Sequence, residues 1–168
     1  MADYVRVYGD TGIAGINLVG GAVLLRPPSF DHIGPGFLEN ATGASAPDLR
    51  ANITSIRRFL RSCTAKPLPE ELWSAALCWN MAVPAAIRGT LIAREIDDTD
   101  VYSRLSVPIL VTHGLQDLII LPSMAEHLLR HRNTAVASWY DVVGHMPFIE
   151  QTERFNLELA AFIDRARQ

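Results

Sequence analysis

The chain has 168 residues, 49% hydrophobic and 20% charged, enough for one domain with a core and too few for two full-sized ones. Fifteen Lys and Arg stand against 18 Asp and Glu, and a net charge of -3 gives no electrostatic reason to expect a nucleic-acid partner. The composition excludes intrinsic disorder, and two cysteines, Cys63 and Cys78, are too few for a disulfide scaffold.

Ala2 to Gly9 reads as the last turns of a helix stopped by Gly9. Gly12 to Val23 is an apolar run with glycines and little alternation. A buried parallel strand has this pattern, and periodicity alone does not separate it from a buried helical segment. Pro27-Pro28 ends the run, and the character then changes. Gly34-Pro35-Gly36 and Thr42-Gly43-Ala44-Ser45 read as loops. Asp48 to Arg61 sets Leu49, Ile53, Ile56, Phe59 and Leu60 on one helical face. Glu70 to Asn80 is a second predicted helix, and Pro84 opens a third that runs to Arg94.

A regular pattern resumes at Ser106. Pro108 to Thr112 is a short apolar strand, Pro122 to His131 a helix, and Ala135 to Tyr140 another strand. Thr152 to Arg167 is an amphipathic helix with Phe155, Leu159, Phe162 and Ile163 on its apolar face. The order is an α/β alternation interrupted after its first strand. It divides into residues 1–27 as the first retained part of a core, 28–100 as a helical insertion, and 101–168 as the C-terminal core. The apolar runs are short and broken, and the N-terminus lacks a basic region ahead of an apolar core. A soluble, cytoplasmic chain is expected.

Ligands of open parallel sheets bind at the carboxyl ends of strands. Asp117 follows the strand at Pro108–Thr112, and His145 follows the strand at Ala135–Tyr140. Neighbouring strands would bring the carboxylate onto a ring nitrogen of the histidine, fixing its tautomer and stabilising the imidazolium. The plainer alternative makes Asp117 a helix cap and His145 a loop residue. His113 is a candidate for a structural hydrogen bond beside this pair. Trp73, Trp79 and Met81, with Phe30, either line an apolar substrate pocket or simply pack. His127 and His131 lie four apart on one helix, but no third ligand or H-E-x-x-H pattern accompanies them, so no metal is expected. Asn40 and Asn52 begin glycosylation sequons that carry little weight without a secretory signal.

The stretch from Val107 to Arg165 resembles the C-terminal end of an α/β-hydrolase. His113-Gly114-Leu115-Gln116-Asp117 is similar to the family's acid-bearing loop, and Gly144-His145-Met146-Pro147-Phe148-Ile149-Glu150 to its histidine loop. Asp3 to Val23 is similar to the helix after the nucleophile and the strand that follows. The insertion falls where many members carry a helical lid, and the flavour is that of the cofactor-free haloperoxidase and esterase branch. The resemblance implies a partial α/β-hydrolase fold, with about three C-terminal parallel strands, flanking helices and a lid. It further implies Asp117 and His145 as catalytic residues, no cofactor or metal, and small or medium apolar ester-like substrates for the intact form.

One part of the family pattern is absent from the sequence, the G-x-S-x-G elbow that carries the nucleophile. Cys63, Cys78, Ser29, Ser45, Ser103 and Ser106 are poor substitutes by position. The chain alone is therefore expected to be inactive, with an elbow-bearing portion upstream of Met1 lost from the reading frame as given. The alternative is a truncated or degenerate domain that binds an apolar ligand or a partner chain. Its first strand would then have an open edge suited to self-association.

Overall fold

Gly9 closes the first helix and Pro108 leads into the central strand of the sheet, so the sheet is assembled from segments some ninety residues apart. The computed structural model describes residues 1–26 and 29–167. In chain order they form α1 (Ala2–Tyr8), β1 (Ile16–Val19), β2 (Leu24–Leu25), a 3-10 turn (Ser29–His32), α2 (Pro35–Ala44), α3 (Leu49–Ser62), α4 (Glu70–Met81) and α5 (Ala85–Ile92). There follow β3 (Ile96–Asp97), α6 (Thr99–Arg104), β4 (Ile109–Gly114), α7 (Pro122–His131), β5 (Val136–Tyr140), α8 (Pro147–Glu150) and α9 (Thr152–Ala166).

The main sheet is parallel with the order β1-β4-β5. All six residues of β4 are buried, as a central parallel strand covered on both faces requires. Ile16, Leu105, Ile109, Val111, Met124 and Leu128 pack into the core beneath it. β1 lies at one edge. Its Ile16 and Gly20 N–H groups bond to Pro108 and Thr112 of the neighbouring segment, so the alternate groups of Asn17 and Val19 face the open side.

The apolar run Gly12–Val23 yields a strand of four residues, because Gly20 turns the chain at φ +52. The two loops expected around Gly36 and Gly43 are instead the two ends of one helix, α2. Pro35 sits at its first turn, where a missing N–H costs nothing. Both glycines face α3: a Cβ at Gly36 would collide with Ser62, and one at Gly43 with Ser55. They permit close helix packing and do not mark turns.

The helices α2 to α5 form a satellite body with its own small core of Ala44, Ile56, Leu60 and Ala76. Asn52 and Arg88 tie it together. Arg88 donates to the carbonyls of Ala44, Asn80 and Val83 and to Asn52 Oδ1, and Asn52 Nδ2 donates to the carbonyls of Ala44 and Ala46. The two-residue strands β2 and β3 pair antiparallel at the neck of this body. The expected boundary at Pro27-Pro28 lies outside the described residues. Among the described residues no single helix is long and apolar enough to cross a membrane.

Candidate active site

β4 and β5 are parallel neighbours, so their C-terminal loops emerge side by side. Gly114 at the end of β4 has no room for a side chain, since a Cβ there would strike the carbonyls of Val143 and Gly144. The loops are laced by backbone: Leu115 N–H donates to Tyr140 O, and Gln116 N–H to Val143 O, both at 2.9 Å. This brings Asp117 and His145 together. His145 Nδ1 lies 2.8 Å from Asp117 Oδ2.

Asp117 is 2% exposed. Its Oδ1 accepts from the N–H groups of Ile119 (2.8 Å) and Ile120 (3.0 Å), which leaves Oδ2 for the histidine. A carboxylate this buried is stable because each oxygen has a donor. His113 is also buried, and its Nε2 donates to Ile120 O at 2.9 Å, a structural bond. Burial pushes its pKa below the usual histidine value. His145 differs from it, with a quarter of its side chain exposed. Facing the Asp117 carboxylate, Nδ1 is the donor, which in the neutral ring makes Nε2 the acceptor, and Nε2 has no partner among the described residues.

The backbone around His145 is held as firmly as its ring. Its N–H donates to Cys63 O at 2.8 Å. Glu150 bridges two segments, accepting from Gly144 N–H at 2.8 Å and from Ala65 N–H at 2.7 Å. On the other side Gly20 packs against the pair: a Cβ there would come within 2.8 Å of His145 Nδ1. Its positive φ and this contact both demand glycine. Neither Gly20 nor the bridging role of Glu150 was identified from sequence. The glycine pair after the first strand and the acid five residues after the histidine were the available signals.

No family model matches the chain, and no curated protein matches it. Among solved structures, it superposes on a protein assigned as an aryl esterase from Burkholderia cenocepacia with a TM-score of 0.90 and 27% identity over 98% of its length. The chain carries the C-terminal part of an α/β-hydrolase fold. An esterase from Rhodococcus sp. ECU1013 is similar with a TM-score of 0.90 and 25% identity over 97% of the chain. A bromoperoxidase from Bacillus anthracis shares the fold at 13% identity and a TM-score of 0.80. The chain spans 60% of the length of each of the first two proteins.

Within this α/β-hydrolase fold the residues singled out for an apolar pocket are spread apart. Trp73 lines a cleft between α3 and α4, its ring beneath the guanidinium groups of Arg57 (5.0 Å) and Arg61 (5.8 Å). Met81 borders a separate hollow beside Pro84 and Arg88. Trp79 is 65% exposed, and Phe30 is exposed as well. Helical periodicity identified apolar side chains without saying which neighbour each would meet.

Cys63 is buried beside Asp117 and Glu150, and desolvation first, then these charges, push its thiol up to about 12. It stays protonated at neutral pH. Ser106 bonds to Asp10 at the opposite end of the sheet, Ser103 to the carbonyl of Asp100, and Ser45 to the carbonyls of Ala41 and Thr42. Cys78 is exposed, and the side chain of Ser29 lies outside the described residues. Asn40 and Asn52 are buried and use their amides on backbone carbonyls. His127 and His131 stack at 4.4 Å, and among the described residues no group of three or more His, Cys, Asp and Glu is arranged to hold a metal ion.

Proposed function

We propose that Asp117 and His145 are the acid and the base of an ester hydrolase acting on small or medium apolar esters. The observation that carries this reading is the single 2.8 Å bond from His145 Nδ1 to a buried carboxylate, with Nε2 left free. In that arrangement Nε2 takes the proton of a serine hydroxyl as its oxygen attacks the ester carbonyl. The resulting imidazolium is stabilised by Asp117, and it returns the proton to the leaving alcohol. Water then repeats the sequence on the acyl-serine. The similarity to two esterases at 25% identity or more supports the substrate class.

The sequence holds no G-x-S-x-G motif, so the chain alone is proposed to lack the nucleophile and to be inactive. The test is hydrolysis of p-nitrophenyl acetate by the 168-residue chain and by the chain extended through any reading frame preceding Met1. The expected result is no rate above background for the chain alone. An extension carrying the motif is expected to restore hydrolysis, with a loss of about 10²- to 10⁴-fold on His145→Ala. Hydrolysis that survives His145→Ala overturns the assignment.

The open edge of β1 favours a second reading, a non-catalytic domain that pairs this edge with a strand of a partner or of a second copy. A stop codon directly upstream of Met1, together with a dimer in light scattering, is the outcome that selects it. A monomer at all concentrations removes self-pairing.

A further inference from the structure

We propose that the cleft between α3 and α4 is a binding site for a small organic carboxylate. The cleft has a volume of about 440 Å³ and is lined by Arg57, Arg61, Thr64 and Trp73, with Leu60 and Leu68 among its apolar walls. Its polar groups are unbalanced. Two guanidinium groups and a hydroxyl supply donors, and Glu70 is the one acid in the lining. Glu70 already accepts from Ser74, and none of the ion pairs among the described residues involves Arg57 or Arg61.

Both guanidinium groups are held over the same indole ring, which limits their freedom before any ligand arrives. Arginine presents a planar fork of donors that matches a carboxylate. The neighbouring chain has the same sign: Asp48 to Trp73 contains five Lys and Arg and three Asp and Glu, a local charge of +2 in a chain whose total is -3. Trp73, Leu60 and Leu68 add an apolar wall, which favours an acid with a hydrocarbon or aromatic body over a bare inorganic ion. The floor of the cleft includes Thr64 and Ala65, the segment tied to the His145 loop through Cys63 O and Glu150.

The test is titration of the ¹⁵N-labelled chain with benzoate, benzamide and inorganic phosphate, following the Trp73 indole N–H resonance, assigned with Trp73→Phe. Benzoate is expected to shift it saturably, with benzamide and phosphate each binding at least about tenfold more weakly. Arg57→Gln with Arg61→Gln is expected to weaken benzoate by about tenfold or more. Arg50→Gln with Arg58→Gln, on the same helix and outside the lining, acts only through the screened field and is expected to change binding by less than about threefold. Both arginines of the cleft are exposed, and resonances of the β4 core report that the double variant folds. Leu68→Glu, which sets a carboxylate at the cleft, is a second variant expected to compete with benzoate. Equal binding of benzamide or phosphate, unchanged affinity in the arginine variant, or no saturable shift overturns the proposal. The readout is binding alone, so it stands or falls apart from ester hydrolysis.

Discussion

The loops that follow β4 and β5 and the helical body from α2 to α5 both bury polar side chains, and they use them in opposite ways. In the helical body Arg88 and Asn52 spend their donors on carbonyls at helix ends and on each other, so both side chains are consumed by structure. Around Asp117 the backbone supplies two donors to one oxygen, the second oxygen holds a ring, and that ring ends in an acceptor with nothing attached. Burial of polar groups is common to both regions. An acceptor at His145 Nε2 without a partner among the described residues is what distinguishes the loop pair from the helical body.

Substitutions that break each region should separate these roles. The largest effect is expected at Gly114, where any Cβ meets the backbone of Val143 and Gly144. Gly114→Ala should lower unfolding stability by about 4 kcal/mol or abolish folding, read by urea denaturation. Next, Arg88→Ala removes the clamp on the helical body and should cost about 2–4 kcal/mol in the same measurement, while leaving the His145 ring resonances unmoved. Asp117→Asn should cost about 1–3 kcal/mol and change those resonances, which inverts the pattern of Arg88→Ala.

The smallest effect concerns acid. His113 titrates below its unfolded value because burial disfavours its charge. The unfolded chain therefore binds the proton more readily, so stability is intact above about pH 6.5 and declines as pH falls from there through the lower folded value. His127 is lowered as well, again by desolvation first, and adds in the same direction. His113→Gln should flatten part of this decline in urea midpoints taken across the acid range. An unchanged slope would place the titration elsewhere.

How far each region was legible in the sequence follows from the range of its interactions. The acid and histidine loops are short, continuous motifs, and two adjacent parallel strands suffice to align them. Their supports come from afar: Gly20 lies 125 residues from His145, and Cys63 and Ala65 belong to a loop with no motif of its own. In the helical body α2 was hidden because Gly36 and Gly43 resemble turn residues, when their purpose is contact with Ser62 and Ser55. β2 and β3, with two residues each, carry no period to read. Trp73, Trp79 and Met81 were recognisable as apolar, but their separate surroundings depend on the packing of four helices.

The most direct measurement is the tautomer of His145 in long-range ¹H–¹⁵N NMR spectra of the chain near neutral pH, with His145→Ala for assignment. The geometry requires the proton on Nδ1, shared with Asp117, and a free Nε2. The expected result is an Nδ1–H tautomer whose proton resonance lies far downfield and moves or vanishes in Asp117→Asn. A proton on Nε2, or a ring that does not respond to Asp117→Asn, would contradict the account.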